Sequence, residues 1–323
     1  MNISPGTKKN KLFHNGQQQS NKAILIILLL STFFSSAYAC LNRETEFLKD
    51  NILLYLDLEG NVPRGHVYNV QESFTESLIR LDSAYRATKD IGYLADKGII
   101  LILLKRYDEA IKLYLDIEKM QPGRYSTASN IGTAYELIGE NENALKWIKK
   151  ALSVDAESHH NSEWIHVNIL KAKINGEQFY NTKFLLNTDF GTALLPVSDI
   201  SKVNLENLSK ALYYQLNERV GFVKPKEKLV AQLLFDLGNI AFLLKRYSEA
   251  LDDYALAEEY GFSEGLIRQR KTEAARLLQK QKDVKQHVGA SDKANYLLYC
   301  GIFVFILTIG ILFLRRRKGK RFY

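Results

Sequence analysis

Apolar residues recur along most of the chain at three- and four-residue intervals, the spacing that places them on one face of an α-helix. The run IGYLADKGIILILLKRYDEAIKLYLDIEKMQP, from Ile91 to Pro122, reads as two such stretches broken near Lys105. From Tyr125 to Ala156, YSTASNIGTAYELIGENENALKWIKKALSVDA does the same around Gly139. HHNSEWIHVNILKAKI, from His159 to Ile174, predicts one more helix, and the segment Glu46 to Asp90 predicts a helix pair divided by Gly60 and Pro63. Between Asn175 and Val203 the period fails, with Gly176, Gly191 and Pro196 as punctuation, so an irregular insertion is expected there. Helical pattern returns near Leu205, and VAQLLFDLGNIAFLLKRYSEALDDYALAEEYGF, from Val230, predicts another pair. Beyond it lies a polar capping helix and a linker. The reading is all-α.

Two apolar runs have no polar face. Ala23 to Ala39 (AILIILLLSTFFSSAYA) follows a lysine-bearing, acid-free lead and ends in small residues, the pattern of a cleaved secretory signal. An uncleaved N-terminal anchor is the other reading, because the run approaches the length of a span. Tyr296 to Leu314 (YLLYCGIFVFILTIGILFL) contains no charge and at 1.5 Å per residue matches a hydrocarbon core of roughly 30 Å. It predicts a C-terminal transmembrane helix whose tail, RRRKGKRFY, stays cytoplasmic by the positive-inside bias, with the body on the exported side.

Charge changes the picture only at the ends. The formal net charge is +8, but Lys8, Lys9, Lys11 and Lys22 precede the first apolar run and six cations from Arg315 to Arg321 follow the last. That leaves 34 cations against 36 acids in between, so the body has no excess positive charge with which to hold a phosphate backbone, and nucleic acid is excluded as a partner. The two cysteines, Cys40 and Cys300, fall outside the helical body, which therefore has no internal disulfide. Cys40 after Ala39 resembles an acylated lipoprotein cysteine, although Ala37 and Tyr38 depart from that pattern.

The two segments starting at Ile91 and Tyr125 align at a spacing of 34 residues. Gly98 then stands opposite Gly132, Ala110 opposite Ala144, Tyr114 opposite Ile148 and Ile117 opposite Ala151. Leu237, Gly238, Ala250, Tyr254 and Ala257 occupy the same slots downstream, and KRYDEA at Lys105 recurs as KRYSEA at Lys245. Ile131, Gly132, Tyr135, Gly139, Ala144 and Ala151, with Pro122 closing the preceding unit, make this chain resemble the tetratricopeptide repeat family. The resemblance implies a tetratricopeptide-type helix-pair solenoid whose concave groove, lined by the first helix of each pair, holds a protein or peptide. Its groove positions are Ser129, Asn130, Thr133 and Glu136, with Asp236 and Asn239 in the later unit. Asn130 matches an asparagine that some members use to clamp C-terminal carboxylates. The remaining clamp positions, Ala95, Ile99, Glu163 and Val167, do not match, which argues against a free-carboxylate ligand.

No phosphate-binding loop, nucleophile elbow, zinc helix, EF-hand or Cys-x-x-Cys motif is present, so no catalytic residue, cofactor site or metal site is expected. His159, Glu163 and His166 share a helix face at ligand-like spacing, but packing of a repeat helix accounts for them. Tyr107, Tyr114, Trp147 and Tyr254 fall at or beside packing slots, and Asp252, Asp253, Glu258 and Glu259 read as a solvated helix face. The expected organisation is a signal at 1–39, a helix pair at 40–90, repeats at 91–174, the insertion and degenerate helices at 175–229, a repeat at 230–262, a cap and linker at 263–294, the membrane helix at 295–314 and a basic tail at 315–323. The expected function is that of a non-enzymatic interaction scaffold on a bacterial inner membrane facing the periplasm. A single-span sensor reporting ligand binding outside the cytoplasm is the alternative.

Overall fold

The computed structural model describes residues 45–49, 52–56, 60–68, 73–157, 161–222 and 227–286. The signal and transmembrane runs, the basic tail, both cysteines and His159 lie outside them. Among the described residues no helix is long and apolar enough to cross a membrane.

A short antiparallel pair, β1 (Thr45–Leu48) and β2 (Ile52–Leu56), precedes α1 (Phe74–Thr88). Two helical hairpins follow, α2 (Ile91–Leu103) with α3 (Tyr107–Met120) and α4 (Tyr125–Leu137) with α5 (Asn141–Val154). Next come α6 (Glu163–Asn175), a single 3-10 turn (Glu177–Phe179), the short α7 (Thr182–Leu186) and the long α8 (Lys202–Phe222). A last hairpin, α9 (Lys228–Leu243) with α10 (Tyr247–Glu259), leads to α11, helical over residues 265–286.

The three hairpins are built alike because the same residues meet in each. Gly98, Gly132 and Gly238 sit on the first helix where a Cβ would come within 2.3 Å of Tyr114, 2.5 Å of Ile148 and 2.6 Å of Tyr254 on the second. Those three large side chains, and Ala110, Ala144 and Ala250 beside them, are fully buried. Lacking a Cβ, each glycine lets its helix approach until the larger side chain fills the seam, which is how close-packed interiors gain dispersion energy. The turns also repeat. Lys105, Gly139 and Lys245 take left-handed backbone angles, with φ of 58°, 84° and 61°. The next amides, of Arg106, Glu140 and Arg246, donate back to Leu101, Tyr135 and Ala241 at 2.8, 2.9 and 2.9 Å. This is the Schellman closure, which satisfies the terminal carbonyls of the first helix and aims the chain into the second.

The close approach distinguishes two of these positions. At Gly238 the obstacle is a buried ring tethered by its hydroxyl to Asn239 Oδ1 at 2.8 Å, whereas at Gly132 it is chiefly the flexible end of Ile148. Gly238→Ala is therefore expected to lose about 1–3 kcal/mol by overpacking, more than alanine's helix propensity returns. Gly132→Ala is expected to fall within about 1 kcal/mol of the parent. Urea unfolding of both variants checks the order, and equal effects would contradict it.

The segment 45–56 corrects the helix expected there. Ile52 and Leu54 are buried while Leu53 and Tyr55 are half-buried, a period of two, and the apolar run is too short for several helical turns. Tyr55 also bridges Tyr68, so the chain beyond residue 60 runs back alongside β2. Downstream of α6 no long partner helix forms. Gly176, at φ 99°, ends α6, and the partner's place is taken by the 3-10 turn, α7 and a loop through residue 201, whose Phe190 is buried.

The core forms three clusters. One runs from β1 through α4, a second from α6 to α11, and Ala144, Ile148, Val167 and Leu170 make a small third along the α5–α6 seam. On α11 only the stripe Ile267, Arg270 and Ala274 is fully buried. Asp253 corrects the expected solvated acidic face, since it is 1% exposed and neither carboxylate oxygen has a hydrogen-bond partner. Burial, with help from Glu249 and Asp252, pushes its pKa up to about 9. A folded value above the unfolded 3.8 makes this carboxyl increasingly destabilising as pH rises between the two. Asp253→Asn is thus expected to raise the melting temperature at neutral pH and to give almost no gain near pH 3, an order that thermal scans at both pH values test.

Candidate functional site

The first helices of the two N-terminal hairpins, α2 and α4, present the groove face, and the structure roofs it. α8 crosses from one side, and the strap of residues 60–68 returns from β2 along the other. Two backbone amides of the strap, Arg64 and Gly65, donate to Asn217 Oδ1 on α8 at 3.0 and 2.9 Å. Gly65 has φ 77°, and a Cβ there would lie 3.1 Å from the backbone nitrogen of Gly221, so strap and helix touch main chain to main chain. Asn61 Nδ2 adds a bond to Glu249 Oε1 at 3.0 Å. His66 stacks on Tyr55 at 3.9 Å between ring centroids. Asn217→Ala, which leaves two amides without that acceptor, is expected to lower stability by about 1–3 kcal/mol. It should also speed amide exchange in residues 60–68 well beyond its effect on α4, whereas Asn217→Asp keeps the acceptor and much of the protection. Uniform acceleration across the chain would show that Asn217 does not hold the strap.

Beneath the roof lie two adjoining cavities of about 280 Å³ each, meeting at Thr133, Glu218 and Phe222. Three of the expected groove residues, Ser129, Asn130 and Thr133, line the first. Asn130 Nδ2 donates to the hydroxyl of Tyr114 at 3.0 Å, and that hydroxyl donates to the carbonyl of Ala95 at 2.8 Å, so this asparagine is bound into its own hairpin seam. The other walls come from Tyr55, His66 and Tyr68 of β2 and the strap, Ile99 and Ile102 of α2, Tyr125 of α4, and Tyr214 and Glu218 of α8.

Glu136 lines the second cavity and is the hub of a buried charge cluster. Its carboxylate, 7% exposed, accepts from Arg219 Nη1 at 2.6 Å and Nη2 at 3.2 Å, from Lys173 Nζ at 2.8 Å, and faces His166 Nε2 at 2.7 Å. Burial by itself would raise the carboxyl pKa, but Arg219, His166 and Lys173 overcome it and hold it well below the usual range. For His166 the opposing influences are burial and Arg219, which lower its pKa, and Glu136 and Glu163, which win and raise it. His166 Nδ1 lies 3.6 Å from Glu163 Oε2, and Glu163 Oε1 accepts the hydroxyl of Tyr125 at 2.7 Å. The cluster ties α4, α6 and α8 together. Among the described residues no group of three His, Cys, Asp or Glu side chains is arranged to hold a metal.

Asp236 and Asn239 correct the groove assignment. They are 0% and 1% exposed, because the insertion and α11 fill that part of the first-helix face. Thr182 Oγ1 donates to Asp236 Oδ1 at 2.7 Å and Gln232 Nε2 to Oδ2 at 3.2 Å, while burial pushes the Asp236 pKa up to about 7. Asn239 Oδ1 accepts from Tyr254 and from Arg270 Nη1, at 2.8 and 2.7 Å. Sequence reasoning missed Tyr55, His66, Tyr68, Tyr214 and Glu218, since each reaches the groove from an element outside the repeats; 18 tyrosines in the composition were the only hint.

Residues 126–158 match the tetratricopeptide repeat family model. Among solved structures the chain is similar to a thermophilic tetratricopeptide repeat protein of Thermus thermophilus, at 15% identity over 62% of this chain and 90% of that one, with a TM-score of 0.30. It is likewise similar to a tetratricopeptide repeat protein of Parabacteroides merdae, at 14% identity over 62% and 78% of the two chains, with a TM-score of 0.31. No curated protein matches the sequence. The family match covers the α4–α5 hairpin, and the same glycine-against-large-side-chain seam recurs in the α2–α3 and α9–α10 hairpins, so these three hairpins are of tetratricopeptide repeat type.

Proposed function

We propose that this chain is a non-enzymatic interaction scaffold, held at the exported face of a bacterial inner membrane by residues 296–314, whose roofed repeat groove engages a protein or peptide. The observation that carries the reading is the groove itself: apolar Ile99 and Ile102 and polar Ser129, Asn130 and Thr133 face one space on consecutive repeat helices. The charge-free span and basic tail in the sequence supply the anchor and its orientation. A photo-crosslinking side chain at exposed Ser126, on the groove rim, should capture one discrete protein in cells, while the same group at exposed Lys146 on the second-helix face should not. Labelling equally from both positions, or from neither, would sink the reading. Protease accessibility of the body in spheroplasts, with the tail protected, tests the topology separately.

A second reading, a single-span sensor, is favoured by one observation. Each roofed cavity, at about 280 Å³, suits a small molecule or one side chain better than a whole helix. Truncation after Leu314 that preserved topology but abolished a downstream response would support it.

A further inference from the structure

The first cavity has a composition that specifies a ligand class. Four tyrosines, Tyr55, Tyr68, Tyr125 and Tyr214, contribute to its wall, and the lining holds no lysine or arginine, one histidine, His66, which is stacked on Tyr55, and one carboxylate, Glu218. The rings come from different elements and meet at the cavity: Tyr55 and Tyr68 stand edge to face at 6.0 Å, and Phe222 lies 6.5 Å from Tyr68. Aromatic faces carry the negative end of the ring quadrupole and attract cations, the more so when water is excluded. Two of the phenols are also hydrogen-bonded to acids. Tyr125 donates to Glu163 at 2.7 Å, and Tyr214 bonds Glu218. A phenol that donates to a carboxylate gains electron density in its ring, which strengthens that attraction. The cations of the adjoining cavity, Arg219, Lys173 and His166, converge on Glu136.

We propose that this cavity binds a compact organic cation, an ammonium group with or without alkyl substituents seated among Tyr55, Tyr68, Tyr125 and Tyr214 with Glu218 as counter-ion. A volume of about 280 Å³ has room for a small quaternary amine or a single lysine side chain. The shared chemistry has two sources, a free amine or the basic side chain of a peptide, and the strap and α8 leave the walls assembled for either.

Calorimetric titration of the purified full-length chain tests this without any protein partner, so its failure leaves the scaffold reading standing. Choline chloride represents the free amine, N-acetyl-lysine methylamide the peptide side chain, and 3,3-dimethyl-1-butanol the neutral isostere of choline. At least one cation is expected to bind at one site, at least about tenfold more tightly than the neutral isostere. Binding of choline points to a free amine, and binding of the lysine amide alone to a peptide. Glu218→Gln should weaken the cation by roughly five- to tenfold. Tyr55→Leu, at the half-buried cavity rim, should weaken it comparably and serves as the second variant if Glu218→Gln disturbs folding. Equal binding of the neutral isostere, no binding of either cation to the folded protein, or unchanged affinity in both variants would overturn the proposal.

Discussion

Glu136→Ala is expected to lower the unfolding free energy by about 3–5 kcal/mol, because it leaves Arg219, His166 and Lys173 buried around a missing carboxylate. None of the four side chains is more than 20% exposed, so solvent screens the loss only weakly. The effect should depend on pH in a defined way. Glu136 has a folded pKa below its usual 4.5, so its contribution is present above that value and is lost as pH falls through the folded one. His166 has a folded pKa above its usual 6.5, so its contribution is fully present below 6.5 and is lost as pH rises through the folded value. The difference between parent and variant should therefore peak between about pH 4.5 and 6.5 and narrow on both sides. On the alkaline side narrowing is partial, since Arg219 and Lys173 stay charged. Urea unfolding across this range checks it, and a difference that stays level from about pH 6 to beyond about pH 8 would show that His166 takes no part.

Arg270→Ala should cost about as much, roughly 3–5 kcal/mol, for a different reason. The side chain is fully buried and donates to the carbonyls of Phe190, Gly191 and Ala193 at 3.1, 2.6 and 3.0 Å as well as to Asn239. It also lies 5.4 Å from the ring centroid of Phe235. Truncation removes the donor set that pins the insertion loop to α9 and α11. Arg270→Met restores the packing volume without the donors and should recover only part of the loss. Arg270→Lys should also fall short, because one ammonium cannot reproduce the guanidinium fork. Hydrogen exchange should rise first in residues 187–201; acceleration spread evenly over α9 and α10 would mean that Arg270 supports the hairpin rather than the loop.

The repeat hairpins were legible because their information is local. Gly98, Gly132 and Gly238 each lie 16 residues before the large side chain they accommodate, and the turn at Lys105, Gly139 or Lys245 brings the two together. Segment 45–56 was misread because a short apolar run fits either period until its burial is known. Asp236 and Asn239 were misread because a first-helix slot says which face a residue occupies, not what later covers that face.

By itself the sequence determined the helix pairs within residues 91–156 and 230–262, the 34-residue spacing of the first two and the location of the basic charge at the two ends, all properties of neighbours along the chain. Only the tertiary structure decided that the groove is roofed and lined with tyrosines, and that Glu136 is a charge hub. Asn217 meets Arg64 across 153 positions and Arg219 meets Glu136 across 83, and no periodicity encodes contacts at such separations. They follow from where α8 and the strap come to rest once the hairpins have stacked.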